Sequence, residues 1–186
     1  MRRLFVLCYV AGLLVGMPAQ AYAGQKTAAV PGAIRYLPGQ VSASDLNRIW
    51  AWLKQEVGAP RGLEAPDISV ERLQGGRKMG FLFPTEKDPD ETLRIAIDRD
   101  TLTYDSDTMV LWGVGHELVH YLLLLRQYGF RPQNTYVQAY AHHCDPEFLR
   151  ITAGVAQVLW SIYHSDDDVS RMNALAKRTC AMFPHQ

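Results

Sequence analysis

Apolar residues recur at helical spacing in four stretches of the chain. The first stretch lies between Ser42, which with Asp45 resembles a capping box, and Gly58, a residue typical of helix ends. The other three predicted helices cover residues 108–127, 146–164 and 169–180. Asp145 and Pro146 give the third of these helices a capping residue and a proline at its first position.

Residues 67–98 follow a different period, because apolar and polar residues alternate there. The alternation occurs in three short runs, at residues 68–70, 79–83 and 93–97. A pair of glycines separates the first two runs, and a charged turn separates the last two. The pattern predicts three short strands of a small sheet, which we expect to be mainly antiparallel.

The first 23 residues differ in kind from the rest. Arg2 and Arg3 precede an apolar run over residues 4–17, and the small-x-small triplet 21–23 follows, as in a secretory signal peptide. The run is shorter than the roughly 20 residues that a membrane-spanning helix needs, which disfavours the alternative of a membrane anchor. We therefore expect cleavage after residue 23, no stable membrane anchor afterwards, and a periplasmic or secreted protein.

The rest of the chain has the composition of a single globular domain. Of the 186 residues, 48% are hydrophobic and 20% are charged, which suffices for a real core. The charges balance at 19 basic and 19 acidic residues, and no basic block marks a surface for nucleic acid or lipid. We expect a loose segment over residues 24–40, one domain over residues 41–186, and no nucleic-acid partner.

Cysteine usage fits an exported protein. Cleavage would remove Cys8 and leave Cys144 and Cys180 in a compartment where thiols tend to be oxidised. With one pairing possible, we predict a Cys144–Cys180 disulfide; the alternative is two buried, unpaired thiols.

One motif in the chain carries recognisable chemistry. Residues 116–120 read His-Glu-Leu-Val-His and fit the pattern H-E-x-x-H within a predicted helix. Four residues make about one helical turn, so His116 and His120 share a face and can bind one Zn²⁺. Zinc lowers the pKa of bound water, and Glu117 beside it can act as general base.

On these residues the chain resembles the zincin metallopeptidases, over roughly residues 93–164. The resemblance implies an α+β fold in which a small, antiparallel-rich sheet packs on the H-E-x-x-H helix and on further C-terminal helices. It also implies that an edge strand of the sheet binds an extended peptide, and residues 93–98 would be that strand. The expected substrate is then a peptide or a protein.

The third zinc ligand is less clearly marked. The longer motif H-E-x-x-H-x-x-G-x-x-H fails, because Leu123 and Arg126 stand at its last two fixed positions. The chain is then most similar to compact gluzincins, whose third ligand is a glutamate of the next long helix, and Glu147 fits that position. Alternatives are His142 or His143, and after them Asp145 or His164. Glu147 could instead only stabilise the positive end of its helix.

These residues favour a zinc-dependent hydrolase of peptide or related amide bonds, with His116, His120 and Glu147 as ligands and Glu117 as general base. The alternatives are a non-enzymatic protein with a structural or vestigial zinc site and an interaction domain with a chance motif. Polar residues that could stabilise an oxyanion lie between the two ligand helices, without a specific spacing rule. They are Tyr136, Tyr140, His142 and His143.

Overall fold

The computed structural model describes residues 42–74, 77–131, 133–137 and 143–182. The predicted signal peptide and the segment over residues 24–40 lie outside these ranges. The helices are α1 Ala43–Glu56, α2 Thr101–Tyr104, α3 Asp107–Gln127, α4 Pro146–Tyr163 and α5 Asp166–Met182. The strands are β1 Asp67–Glu71, β2 Met79–Leu82 and β3 Arg94–Asp98.

The four long helices form where the sequence predicts them, and local capping explains their starts. The Ser42 hydroxyl accepts a hydrogen bond from the Asp45 N–H, and Ser106 caps α3 in the same way. Asp145 accepts from the N–H groups of the second and third residues of α4, after Pro146 at the first position. The one-turn helix α2 was not predicted, because four residues are too few for a periodic pattern.

The sheet corrects two expectations. Its strand order is β1-β3-β2, with β1 parallel and β2 antiparallel to β3, so it is mixed rather than mainly antiparallel. The strand over residues 94–98 is central, so the prediction that residues 93–98 form the substrate-binding edge is wrong. The physical reason lies in Ile95, Ala96 and Ile97, which are all fully buried, as a strand covered on both faces requires. Among the described residues, β1 and β2 form the edges of the sheet.

Helix α3 is the centre of the domain. It contacts α1, α4, α5, β2 and β3, and its apolar residues supply much of the core. By length and composition it could cross a membrane, but most of it is buried inside the fold, as in the core helix of a globular domain. The buried packing therefore accounts for its hydrophobicity.

Glycines allow the elements around α3 and α4 to approach closely. A Cβ atom added at Gly115 would lie 2.6 Å from Val155 Cγ1, and one at Gly154 would lie 2.2 Å from a ring carbon of Trp52. The first contact brings α4 against α3 beside His116. The second brings α1 against α4, so Trp52 serves packing.

Cys144 and Cys180 lie at disulfide-bonding distance, with their Cα atoms 4.7 Å apart. Cys144 directly precedes the cap of α4, and Cys180 lies in the last turn of α5. A disulfide between them would tie the chain between α3 and α4 to the last helix.

Candidate metal centre

His116 and His120 lie one turn apart on α3, and their rings face the same space. The ring centroids are 5.0 Å apart, and the two residues are only 8% and 6% exposed. This is the arrangement that the spacing of the motif predicts.

A third imidazole completes the group. His143, which lies just before α4, places its Nε2 3.1 Å from Nε2 of His120. Its ring stacks on His116 with centroids 5.4 Å apart. The three residues each offer one nitrogen, and those nitrogens all lie within 4.8 Å of one another. His143 was one of the alternatives considered for the third ligand.

Glu147, the preferred third ligand of the sequence analysis, does not belong to this group. Its carboxylate accepts two hydrogen bonds from the guanidinium of Arg126, at 2.8 and 2.6 Å. Consecutive residues of a helix project about 100° apart, and the next residue, Phe148, is the one that faces the histidines. The structure thus gives the Glu147 carboxylate a structural partner and offers His143 in its place.

Aromatic side chains form the wall of the histidine cluster. Phe148 is 1% exposed and contacts all three imidazoles, with ring centroids 5.0 Å from His116, 4.4 Å from His120 and 5.6 Å from His143. Trp112, one turn before His116 on α3, packs on the His116 ring at 5.6 Å. These rings restrict how far the imidazoles can rotate.

Glu117 directly follows His116 on α3 and is half-buried. Its carboxylate accepts a hydrogen bond from the backbone N–H of Phe81 in β2. Burial nevertheless raises the pKa of Glu117 to about 7, against the opposing effects of that hydrogen bond and of the positive charge of Arg77. A carboxyl group with such a pKa can both accept and donate a proton near neutral pH.

The donor set fits a zinc ion. Burial, with a smaller effect of the neighbouring imidazoles, holds the pKa of His116 well below its usual value, and burial also lowers the pKa of His143. Neutral imidazoles have the lone pair that a metal requires. Three nitrogen ligands that leave a fourth position for water are typical of catalytic zinc.

The other residues considered from the sequence are placed elsewhere or not described. Tyr136 is buried, and its hydroxyl accepts from the Gln133 N–H, so it packs rather than lines the site. Asp145 caps α4, and His164 ends that helix beside Trp160. Tyr140 and His142 lie outside the described residues.

Comparison of the chain with protein-family models, curated protein sequences and solved structures finds no match. The resemblance to zincins therefore rests on the H-E-x-x-H motif of the sequence and stays a prediction.

Proposed function

We propose that this protein is a zinc-dependent hydrolase, most simply a metallopeptidase, with His116, His120 and His143 as the zinc ligands. The convergence of these three imidazoles carries the proposal, because their nitrogens already lie within 4.8 Å of one another. A bound zinc ion would supply Lewis acidity, polarising a substrate carbonyl and lowering the pKa of water toward neutrality.

Glu117 is the proposed general base. It accepts the proton of the attacking water at one carboxylate oxygen and later donates it to the leaving amine. The Phe81 N–H fixes the position of the carboxyl group, and its pKa of about 7 suits both proton transfers. Zinc binding alone would not require a carboxylate at this position, which favours catalysis over a purely structural metal site.

Strand β2 is the proposed substrate-binding edge. In the described part of the chain no strand pairs with its outer side. The backbone N–H of Phe81 in this strand donates a hydrogen bond to the Glu117 carboxylate. An extended peptide could add to this edge by backbone hydrogen bonds, with its scissile bond brought toward the histidines. A peptide or protein substrate fits this arrangement, and the disulfide-bonding cysteine pair is compatible with export.

The test compares the parent protein with Glu117→Gln, which preserves the size of the side chain and removes the base. We expect one zinc ion per chain in both proteins. Hydrolysis of a mixed peptide library should fall at least about 100-fold in the variant, the lower range for general-base catalysis. Glu56→Gln, on α1 and ion-paired with Arg150, is the control and should keep full activity.

Two results would contradict the proposal. Parent protein that binds no zinc after metal loading would exclude the metal centre. Zinc-loaded Glu117→Gln that cleaves as fast as the parent would exclude the proposed base.

A further inference from the structure

Among the buried polar side-chain atoms of the described structure that have no hydrogen-bond partner, two lie on packed helices. They are Nδ1 of His116 and Oγ1 of Thr152. Thr152 is fully buried and His116 is 8% exposed. Buried polar atoms are nearly always paired, so two such atoms on packed helices call for a physical explanation.

Thr152 lies on the face of α4 that packs against α3. Phe148, one turn earlier on α4, contacts the His116 ring at 5.0 Å. Val155, three residues later, meets the backbone of α3 at Gly115, directly before His116. Thr152 lies between these two contacts along α4, so its hydroxyl belongs to the surface that faces His116.

A histidine that binds a metal through one ring nitrogen carries its proton on the other, and that N–H requires an acceptor. The acceptor fixes the tautomer and the orientation of the ring. We infer that His116 uses Nε2 for the metal and that its Nδ1–H donates a hydrogen bond to Thr152 Oγ1. Thr152 is then a positioning residue for the first zinc ligand. The inference rests on the proposed function, since it requires a metal at the three histidines.

The inference makes an unusual prediction for Thr152→Val, which removes the hydroxyl and keeps the shape. In the metal-free protein the hydroxyl has no partner, so the variant should melt at the same or a higher temperature than the parent. Zinc affinity should nevertheless fall about 10-fold or more, the usual effect of losing a hydrogen bond to a metal ligand. Thr152→Ser, which keeps a hydroxyl, should recover most of the affinity.

Thr101→Val is the matched control. Thr101 is also buried, at 5% exposure, but its hydroxyl donates to the Lys78 carbonyl at 3.2 Å, far along the chain from the histidines. This variant should lower the melting temperature of the metal-free protein and leave zinc affinity unchanged.

The experiment measures zinc dissociation constants by competition with a chromophoric chelator, together with melting temperatures after metal removal. The inference is supported if Thr152→Val binds zinc more weakly while its melting temperature is unchanged or higher, and if Thr152→Ser recovers most of the zinc affinity. Zinc affinity of Thr152→Val equal to that of the parent overturns it while leaving the proposed metal centre intact. A parent protein that binds no zinc overturns both, so the two failures are distinguishable.

Discussion

Replacing Glu147 by glutamine separates the two roles that this residue could have. Glu147 and Arg126 form a two-point ion pair, and their side chains are 39% and 37% exposed. Exposed pairs of this kind contribute about 0.2–1 kcal/mol because water and salt screen them. The carboxylate in the first turn of α4 adds about 0.3–1 kcal/mol through the helix dipole. We therefore expect Glu147→Gln to lower the free energy of unfolding by about 1 kcal/mol.

The loss should depend on pH in a defined direction. The hydrogen bond and charge of Arg126 lower the pKa of Glu147 in the folded protein below its ordinary value of 4.5. A lowered carboxyl pKa stabilises the fold fully above the unfolded pKa, and the stabilisation is lost as the pH falls through the folded pKa. The difference between parent and variant should thus be largest at pH 6–7 and should disappear in acid.

Urea denaturation of the metal-free proteins measures the difference, and chelator competition measures zinc affinity. Glu147→Gln should bind zinc as tightly as the parent, whereas His143→Ala should lose most of its affinity. Glu56→Gln, which breaks another ion pair of α4, serves as the control for a general loss of surface charge. A large loss of zinc affinity in Glu147→Gln, with His143→Ala unaffected, would show that our assignment of the third ligand is wrong.

Three further changes test the packing around the site. Phe148→Ala should destabilise the protein by about 3–5 kcal/mol and weaken zinc binding, because it removes the ring against which all three imidazoles pack. Calorimetry and metal titration measure the two effects. Gly154→Ala should lower the melting temperature despite the better helix propensity of alanine, since its Cβ would lie 2.2 Å from the rigid ring of Trp52; an increase would contradict the packing of α1 on α4. Replacing Cys144 and Cys180 together by serine should cost about 2–4 kcal/mol in a denaturation experiment, and equal stability would show that the pair does not form a bridge in solution.

Local features of the sequence predicted the helices and the histidine pair. Ser42 and Asp145 act on the next few residues, and the spacing of His116 and His120 is set by one helical turn. Such features need no knowledge of distant contacts. The strand order depends on distant contacts, because β1 pairs with β3 although β2 lies between them in the sequence. The alternating pattern alone could not distinguish that pairing from a simple antiparallel meander.

The position of Glu147 outside the histidine cluster could have been predicted from the sequence. Phe148, Ile151 and Val155 recur at helical spacing and form the buried face of α4. This pattern places Phe148 toward the core and turns Glu147 away from it. His143 precedes the helix and follows no periodic pattern, so its position depends on how the chain enters α4. The tertiary structure was needed to bring it to His116 and His120.

The most direct test of the account is the zinc X-ray absorption spectrum of the purified, zinc-loaded protein. We predict one zinc ion per chain, with the scattering pattern of three imidazoles at about 2.0–2.1 Å and one further light ligand. His143→Ala should reduce the number of imidazoles to two, and Glu147→Ala should leave the spectrum unchanged. A spectrum of two imidazoles and a carboxylate in the parent protein, or no zinc retained after loading, would contradict the three-histidine site.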